Sequence, residues 1–585
     1  MKAIKLLGTF MFVAVLVGRP TAQTTWRPAI YADHGMVAAG HALASEAGLS
    51  ILKAGGNAID AAVAAWFVQG LVEPNSTGLG GDMFILSYDA EADQVRFITG
   101  SGTAPSAATV DFYESKGGLP PDGPLSVNIP GAVASALMAI EQYGSKPLSE
   151  VLAPAIEMAE GGVPVSPHLA GSLARSADKL SRYPSTAKIW FEDGKPLEAG
   201  DRVIQKDIGG TLRTIAREGV DAFYRGPIAK QAVSYLEDHD GIHTEPDWAS
   251  YRAYEDTPIK ITYRGIDVYE CPPNSQGHVM LQALKILEGF NLRYMGHNSA
   301  SYLHVVTEAL KLGFADRNKW VGDPKFVPPI PMAGLLSEEY AAERRKLIDP
   351  WQAIEGEAPA GNPRGQAPSD TVAYAGPQPM DSFVDPYDDE AFTLTTYLTV
   401  VDKDRNMVSI TSSLLSGFGS GMVVDGAGFF LNNRMAYFGL EPDDINVLVP
   451  GKRVRQTINP ALALKDGKPF VTFGTPGADT QPQTQLQFFL NLVEFNMNVQ
   501  EALEQPTVIS TSFRRSYYPH EVAGTLLTPV MLPQHVRDEL AAMGHLLDVR
   551  EARGAGAVKA IVIHPKTNVL MGGVSPTRDS YVMAW

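Results

Sequence analysis

The chain has 585 residues, 45% of them hydrophobic, and a net charge of −17. It is long enough for a large core and, by length alone, for several domains. The acidic balance argues against nucleic acid or an anionic membrane as the main partner. The one cysteine, Cys271, excludes an intrachain disulfide and a thiolate metal cluster, and reads as a packed, inert thiol.

Residues 1–23 read as an export signal. Lys2 and Lys5 form a basic start, and Leu6 to Val17 is an apolar run too short to span a bilayer comfortably. With cleavage near Thr21-Ala22-Gln23, the protein is expected to be exported, periplasmic or secreted, with no stable membrane span. From Gly35 to Pro74 alanine dominates, and two helices are expected. The first runs over Ala44–Lys53 and stops at Gly55-Gly56. The second starts at Ala58 behind an Asn57 cap, with Asp60 in its first turn. Glu73 to Asp82 carries several glycines but fits neither G-x-G-x-x-G nor the Walker pattern, so it reads as a tight turn. Met83–Asp89 and Gln94–Thr99 follow as a hairpin. Further on, Leu148–Glu160 reads as a helix, Pro272 to Gly277 as a rigid loop before another, and Ser299 as the cap of a long one. His304 on that long helix is expected to be structural.

Glu355 to Ala391 is rich in Pro, Gly, Asp and Glu, and reads as a mobile, exposed linker. It ends at Thr393-Leu394-Thr395-Thr396-Tyr397-Leu398-Thr399-Val400-Val401-Asp402, a β-rich run. A cut before Thr395 would give one residue both a hydroxyl and a free α-amine. That amine, titrating near ~8, is the built-in base of an N-terminal threonine nucleophile. Beyond it the pattern is densely β. Hairpins are expected across Lys403-Asp404-Arg405 and across Asp466-Gly467, and a third joins Ala560–Ile563 to Val569–Met571. Gln483–Glu494 reads as a helix. Helices layered around paired sheets are the expected architecture.

Taken together, EPNSTGLGGDMF, LSVNIPGAVASAL, FADRNKWVGDP, TTYLTVVDKD, SGFGSG, LNNRMAYF and FGTPGAD give the chain, from about Gly35 onward, a resemblance to the γ-glutamyltransferase family of N-terminal-nucleophile hydrolases. The resemblance implies an α+β fold, a four-layer αββα sandwich made as one precursor. It implies self-cleavage between Leu394 and Thr395 into a large chain, 24–394 with the linker 355–394 at its end, and a small chain, 395–585. Thr395 then matches the nucleophile and Ser413 the hydroxyl that supports it. Gly477 and Ala478 match the backbone donors to the oxyanion, and Gly419-Ser420-Gly421 a wall nearby. No metal or organic cofactor is implied.

The substrate-binding positions depart from the family pattern. Ser101 stands where an arginine holds the glutamyl α-carboxylate, Tyr437 where an aspartate holds the α-amine, and Arg434 where a glutamine or glutamate stands beside it. Gln456 and Thr457 replace a serine pair, and Leu415 an asparagine. A zwitterion bound without its buried counter-charges would be costly. The expected substrate is therefore a small-molecule acyl amide lacking the α-amine, as in the acylase and amidohydrolase branch. The alternatives are a genuine glutathione hydrolase and an inactive, unprocessed scaffold. There is no G-x-S-x-G elbow for a serine hydrolase and no H-E-x-x-H for a metalloprotease.

Overall fold

In the computed structural model, residues 25–365, 395–551 and 556–585 are described. The expected signal at 1–23, Leu394 and most of the linker lie outside them. Two seven-stranded sheets dominate. In lateral order, one contains Tyr581–Ala584, Met36–Ala39, Thr395–Val401, Met407–Ser413, Asp82–Asp89, Gln94–Gly100 and Tyr254–Asp256. The other contains Ile30–Ala32, Leu570–Val574, Lys559–Ile563, Lys468–Gly474, Ala461–Lys465, Ile266–Glu270 and Ile259–Tyr263. All their pairings are antiparallel.

Alternation along each strand builds the layers. In Thr395–Val401, Leu398 and Val400 join a core with the helices Ala42–Lys53 and Ala58–Val72, while Val401 joins a second core between the sheets. Phe84 and Leu86 also face inward to that middle layer, and Ile85 faces the helices. On the far side, helices His278–Leu287, Ala300–Trp320 and Gln481–Val493 cover the second sheet around Val471 and Phe473. The result is the expected αββα sandwich. The sheets touch through polar contacts as well: Thr399 Oγ1 donates to Thr472 Oγ1 at 2.9 Å, and Ser409 Oγ to the Ala461 carbonyl at 3.1 Å.

Local signals held. Asn57 and Asp60 form a capping box at Ala58–Val72. The Ser299 side chain accepts from Tyr302 N at the start of Ala300–Trp320. Cys271 is buried and free, with its thiol pushed well up by burial. The described start of the linker differs from expectation. Ala358 is buried, Gly361 N donates to Asp316 Oδ1 at 2.7 Å, and Trp320 Nε1 donates to the Gly361 carbonyl at 3.1 Å. Composition suggested exposure there, but side chains of the long helix Ala300–Trp320 hold the backbone.

Candidate active site

Thr395 begins a strand whose neighbours fix its surroundings. It lies opposite Ser413 in the register with Met407–Ser413, and Ser413 lies opposite Asp82 in the register with Asp82–Asp89. Register partners point to the same face. Thr395, Ser413 and Asp82 therefore form one row at the strand ends, on the side facing the second sheet.

The row is bonded. Thr395 Oγ1 donates to Ser413 Oγ at 3.0 Å, and Ser413 Oγ also accepts from Leu415 N at 2.9 Å. Thr395 is only 4% exposed. Its carbonyl accepts from Arg578 Nη1 at 3.0 Å. The next residue turns to the helices: Thr396 Oγ1 donates to Glu73 Oε2 at 3.0 Å and accepts from Gln69 Nε2 at 2.9 Å. Both faces of the leading residues are thus tied down.

Gly477 and Ala478 leave the end of strand Lys468–Gly474 with positive φ at both residues, +123° and +48°. One 3₁₀ turn, Ala478–Thr480, leads into Gln481–Val493. The Gly477 carbonyl is held by the N–H of Thr480 at 2.8 Å and its hydroxyl at 2.7 Å, and the Ala478 carbonyl by Gln276 Nε2 at 3.1 Å. With the carbonyls committed to the helix start and to Gln276, the turn is braced. Next to it, the buried Asp479 carboxylate accepts from Arg317 and from the Ser516 N–H and hydroxyl, both at 2.7 Å. Arg317 and these hydrogen bonds hold it below the usual carboxylate range despite burial.

Five of the six substituted positions, Ser101, Arg434, Tyr437, Gln456 and Thr457, come together around Asp82, which sequence reasoning had read only as the end of a turn. Gln456 Nε2 donates to Asp82 Oδ2 at 2.5 Å and to Ser101 Oγ at 3.1 Å. Gly102 N donates to Asp82 Oδ1 at 3.1 Å. Arg434 Nε lies 3.6 Å from Asp82 Oδ2, and its guanidinium sits 5.4 Å from the centre of the Tyr437 ring. Tyr437 Oη and Thr457 Oγ1 are 3.0 Å apart. Burial pushes the Tyr437 phenol well up, so it is neutral. Burial also raises Asp82 to about 6 against the opposing pull of Arg434. Leu415 is buried with positive φ, and Ser420 donates to the Leu431 carbonyl at 3.0 Å.

His304 lies elsewhere. With Glu308 and His545 it forms a cluster whose candidate ligand atoms lie within 4.8 Å of one another. Those atoms are already committed. His304 bonds His545 at 2.8 Å and the Asp349 carbonyl at 2.7 Å, and Glu308 accepts from Lys311 at 3.1 Å and Ile354 N at 2.8 Å. The structural role expected for His304 fits. Asp82, Arg578 and Glu73 were missed as site residues, because only contacts far apart in sequence bring them here: strand pairing for Asp82 and side-chain hydrogen bonds for Arg578 and Glu73.

The gamma-glutamyltranspeptidase family model matches residues 44–585. The glutathione hydrolase-like YwrD proenzyme of Bacillus subtilis (strain 168) is 34% identical over 549 residues, 93% of this chain and 97% of that protein. The acylase ACY 1 proenzyme of Pseudomonas sp. (strain SE83) is 36% identical over 547 residues, 91% of this chain and 90% of that one. The crystal structure of cephalosporin acylase from Bacillus halodurans has a TM-score of 0.85 at 35% identity, covering 98% of this chain and 99% of that one. On its sandwich architecture and this match along nearly its whole length, the chain belongs to the gamma-glutamyltranspeptidase family of enzymes.

Proposed function

We propose that the protein is an exported, self-processing amide hydrolase in which Thr395 becomes an N-terminal nucleophile. The 3.0 Å contact between Thr395 Oγ1 and Ser413 Oγ, at the buried start of a central strand, carries this reading. Cleavage of the Leu394–Thr395 bond frees the Thr395 α-amine. The amine takes the Oγ1 proton as the oxygen attacks the substrate amide carbonyl. The backbone N–H groups of Gly477 and Ala478 take the oxyanion, a service worth ~3 kcal/mol per donor in comparable enzymes. The proton passes to the leaving nitrogen as the C–N bond breaks. Water then attacks the acyl-threonine ester, releasing the acid and restoring the hydroxyl.

The acyl group is one without an α-amine. Tyr437, neutral and bonded to Thr457, offers no anion for an ammonium, and Asp82 is committed to Gln456 and Gly102. A relative described as an acylase is in keeping with this reading. The test is the intact mass of the purified protein and its Thr395→Ala variant, followed by assay on γ-glutamyl, dicarboxylic and β-lactam amides. Two chains in the wild type, the smaller starting at Thr395, and one in the variant are expected, with turnover of the amides lacking an α-amine. One uncut chain in both would leave an inactive scaffold. Preference for γ-glutamyl amides would make the protein a glutathione hydrolase.

A further inference from the structure

Arg434 is completely buried, yet among the described residues none of its three guanidinium nitrogens has a hydrogen-bond partner. A buried, unsatisfied cation is expensive, and native proteins keep one only where something else supplies the acceptors. Asp82 does not supply them. Its oxygens are held by Gln456 and Gly102, which keep it 3.6 Å from Arg434 Nε, close enough to balance charge but not to hydrogen bond. Tyr437 packs against the guanidinium at 5.4 Å. The flanks of Arg434 are thus engaged by packing and by charge, while its N–H fork stays unbonded.

The fork lies beside Asp82, the third member of the Thr395–Ser413–Asp82 row. Asp82 is two strands from Thr395, through Ser413, which is roughly 10 Å at the backbone. An acyl group attacked at Thr395 therefore needs only a chain of a few carbons to bring its far end toward Arg434. The planar fork fits a carboxylate, which offers two parallel acceptors, better than a single carbonyl.

We propose that Arg434 is the specificity-determining residue that takes the distal carboxylate of a short dicarboxylic acyl amide, and that Asp82 is a positioning residue which holds the guanidinium in the nucleophile's row. This rests on the amide-hydrolase reading above and narrows its substrate to an acyl group ending in an anion. Ser101 and Gln456 act through Asp82: Gln456 spans the Asp82 carboxylate and the Ser101 hydroxyl, and Asn274 Nδ2 donates to Ser101 Oγ at 2.9 Å.

The test uses the mature wild-type protein with glutaryl-p-nitroanilide and its uncharged homologue pentanoyl-p-nitroanilide, and measures glutarate binding by calorimetry. In the wild type, kcat/KM is expected to favour the glutaryl amide by about 100-fold, the worth of a charged bidentate pair. Arg434→Met removes that preference, and Arg434→Lys, which keeps the charge without the fork, retains part of it. Asp82→Asn raises KM for the glutaryl amide about tenfold while kcat moves less than threefold. Loss of packing alone would not produce that split. Equal handling of the two anilides by the wild type, or an equal loss on both in Arg434→Met, overturns the proposal and leaves the hydrolase reading standing. Glutarate binding that disappears in Arg434→Met, with neither anilide cleaved by the wild type, overturns the hydrolase reading and leaves the anion site standing. Should Arg434→Met fail to fold, the Lys variant and Asp82→Asn carry the comparison.

Discussion

Arg578, near the end of the chain, donates to the carbonyl oxygen of Thr395 at 3.0 Å. The bond reaches the residue on the far side of the proposed scissile peptide. It fixes the Thr395 backbone from the direction of the strand Tyr581–Ala584, while Ser413 fixes the hydroxyl from the other side. Arg578 is buried, and burial pulls its guanidinium down to about 10, so it is still charged at neutral pH.

Removing that bond should slow maturation. A hydrogen bond to a charged group is worth about 1.5–3 kcal/mol, so Arg578→Met should form the two chains roughly 10- to 100-fold more slowly. Intact mass followed over time after synthesis checks this. Maturation at the wild-type rate would mean that Thr395 is held well enough by its strand alone.

Ser413 makes its contribution through the hydroxyl. Ser413→Ala should lose roughly tenfold in amide turnover, the worth of one hydrogen bond to the proposed nucleophile Thr395. Ser413→Thr keeps the oxygen and should remain within a few-fold of wild type. Burst and steady-state kinetics on one amide substrate separate the two outcomes, and equal loss in both variants would point to packing rather than hydrogen bonding.

The order in which these features could be read explains what the sequence shows and what it hides. The Thr395 and Met407 strands are joined by a short turn, so their pairing follows from local pattern, while Ser413 as the partner of Thr395 was legible through the family resemblance. The Asn57 capping box is equally local. Asp82 is different. Its meaning depends on strand Asp82–Asp89 lying beside Met407–Ser413, a pairing far apart in sequence that alternation alone does not specify. Arg578 and Glu73 depend on similar long-range neighbours. The linker reading missed the anchoring of Ala358 and Gly361 for a related cause: composition describes how polar a segment is, not that the buried Asp316 and the half-buried Trp320 will bind its backbone.

The turn at Gly477-Ala478 gives a backbone test. Ala478 sits at φ +48°, a region that costs an L-residue about 1–2 kcal/mol. Ala478→Gly should keep activity and raise thermal stability slightly. Ala478→Pro cannot adopt that φ and removes the N–H proposed for the oxyanion, so it should lose activity about 100-fold or more. Activity at the wild-type level in a mature, folded Ala478→Pro protein would remove Ala478 from the oxyanion site.

Where the two sheets meet, Gly474 faces Tyr397, and a methyl group added there would lie 2.3 Å from the ring. Tyr397 Oη is itself bonded to Ser409 at 2.7 Å, so the ring is not free to retreat. Gly474→Ala should destabilise the protein by about 1–3 kcal/mol through overpacking. A lower Tm with unchanged chain composition is the expected readout.

Asp82 gives the anion site a pH signature. Burial raises its carboxyl from 3.8 to about 6, while Arg434, Gln456, Gly102 and Asn128 all pull it down. Arg434 is the only charged group among these neighbours. Above pH 6 Asp82 is ionised and holds the Arg434 guanidinium in place by charge. Below pH 6 it takes up a proton, and that hold is lost. Binding of the substrate carboxylate should therefore weaken with protonation of Asp82, with KM for glutaryl-p-nitroanilide rising as pH drops from 7.5 to 5.5. The substrate's own carboxyl, near ~4.3, stays ionised over that range. The uncharged homologue should show no such slope, and Asp82→Asn should abolish it for the glutaryl amide. KM is the quantity to follow, because with the proposed Thr395 α-amine base, near ~8, kcat should fall in the same window as that amine becomes protonated. A KM for the glutaryl amide that is flat with pH in the wild type would mean that Asp82 keeps one charge state throughout the range.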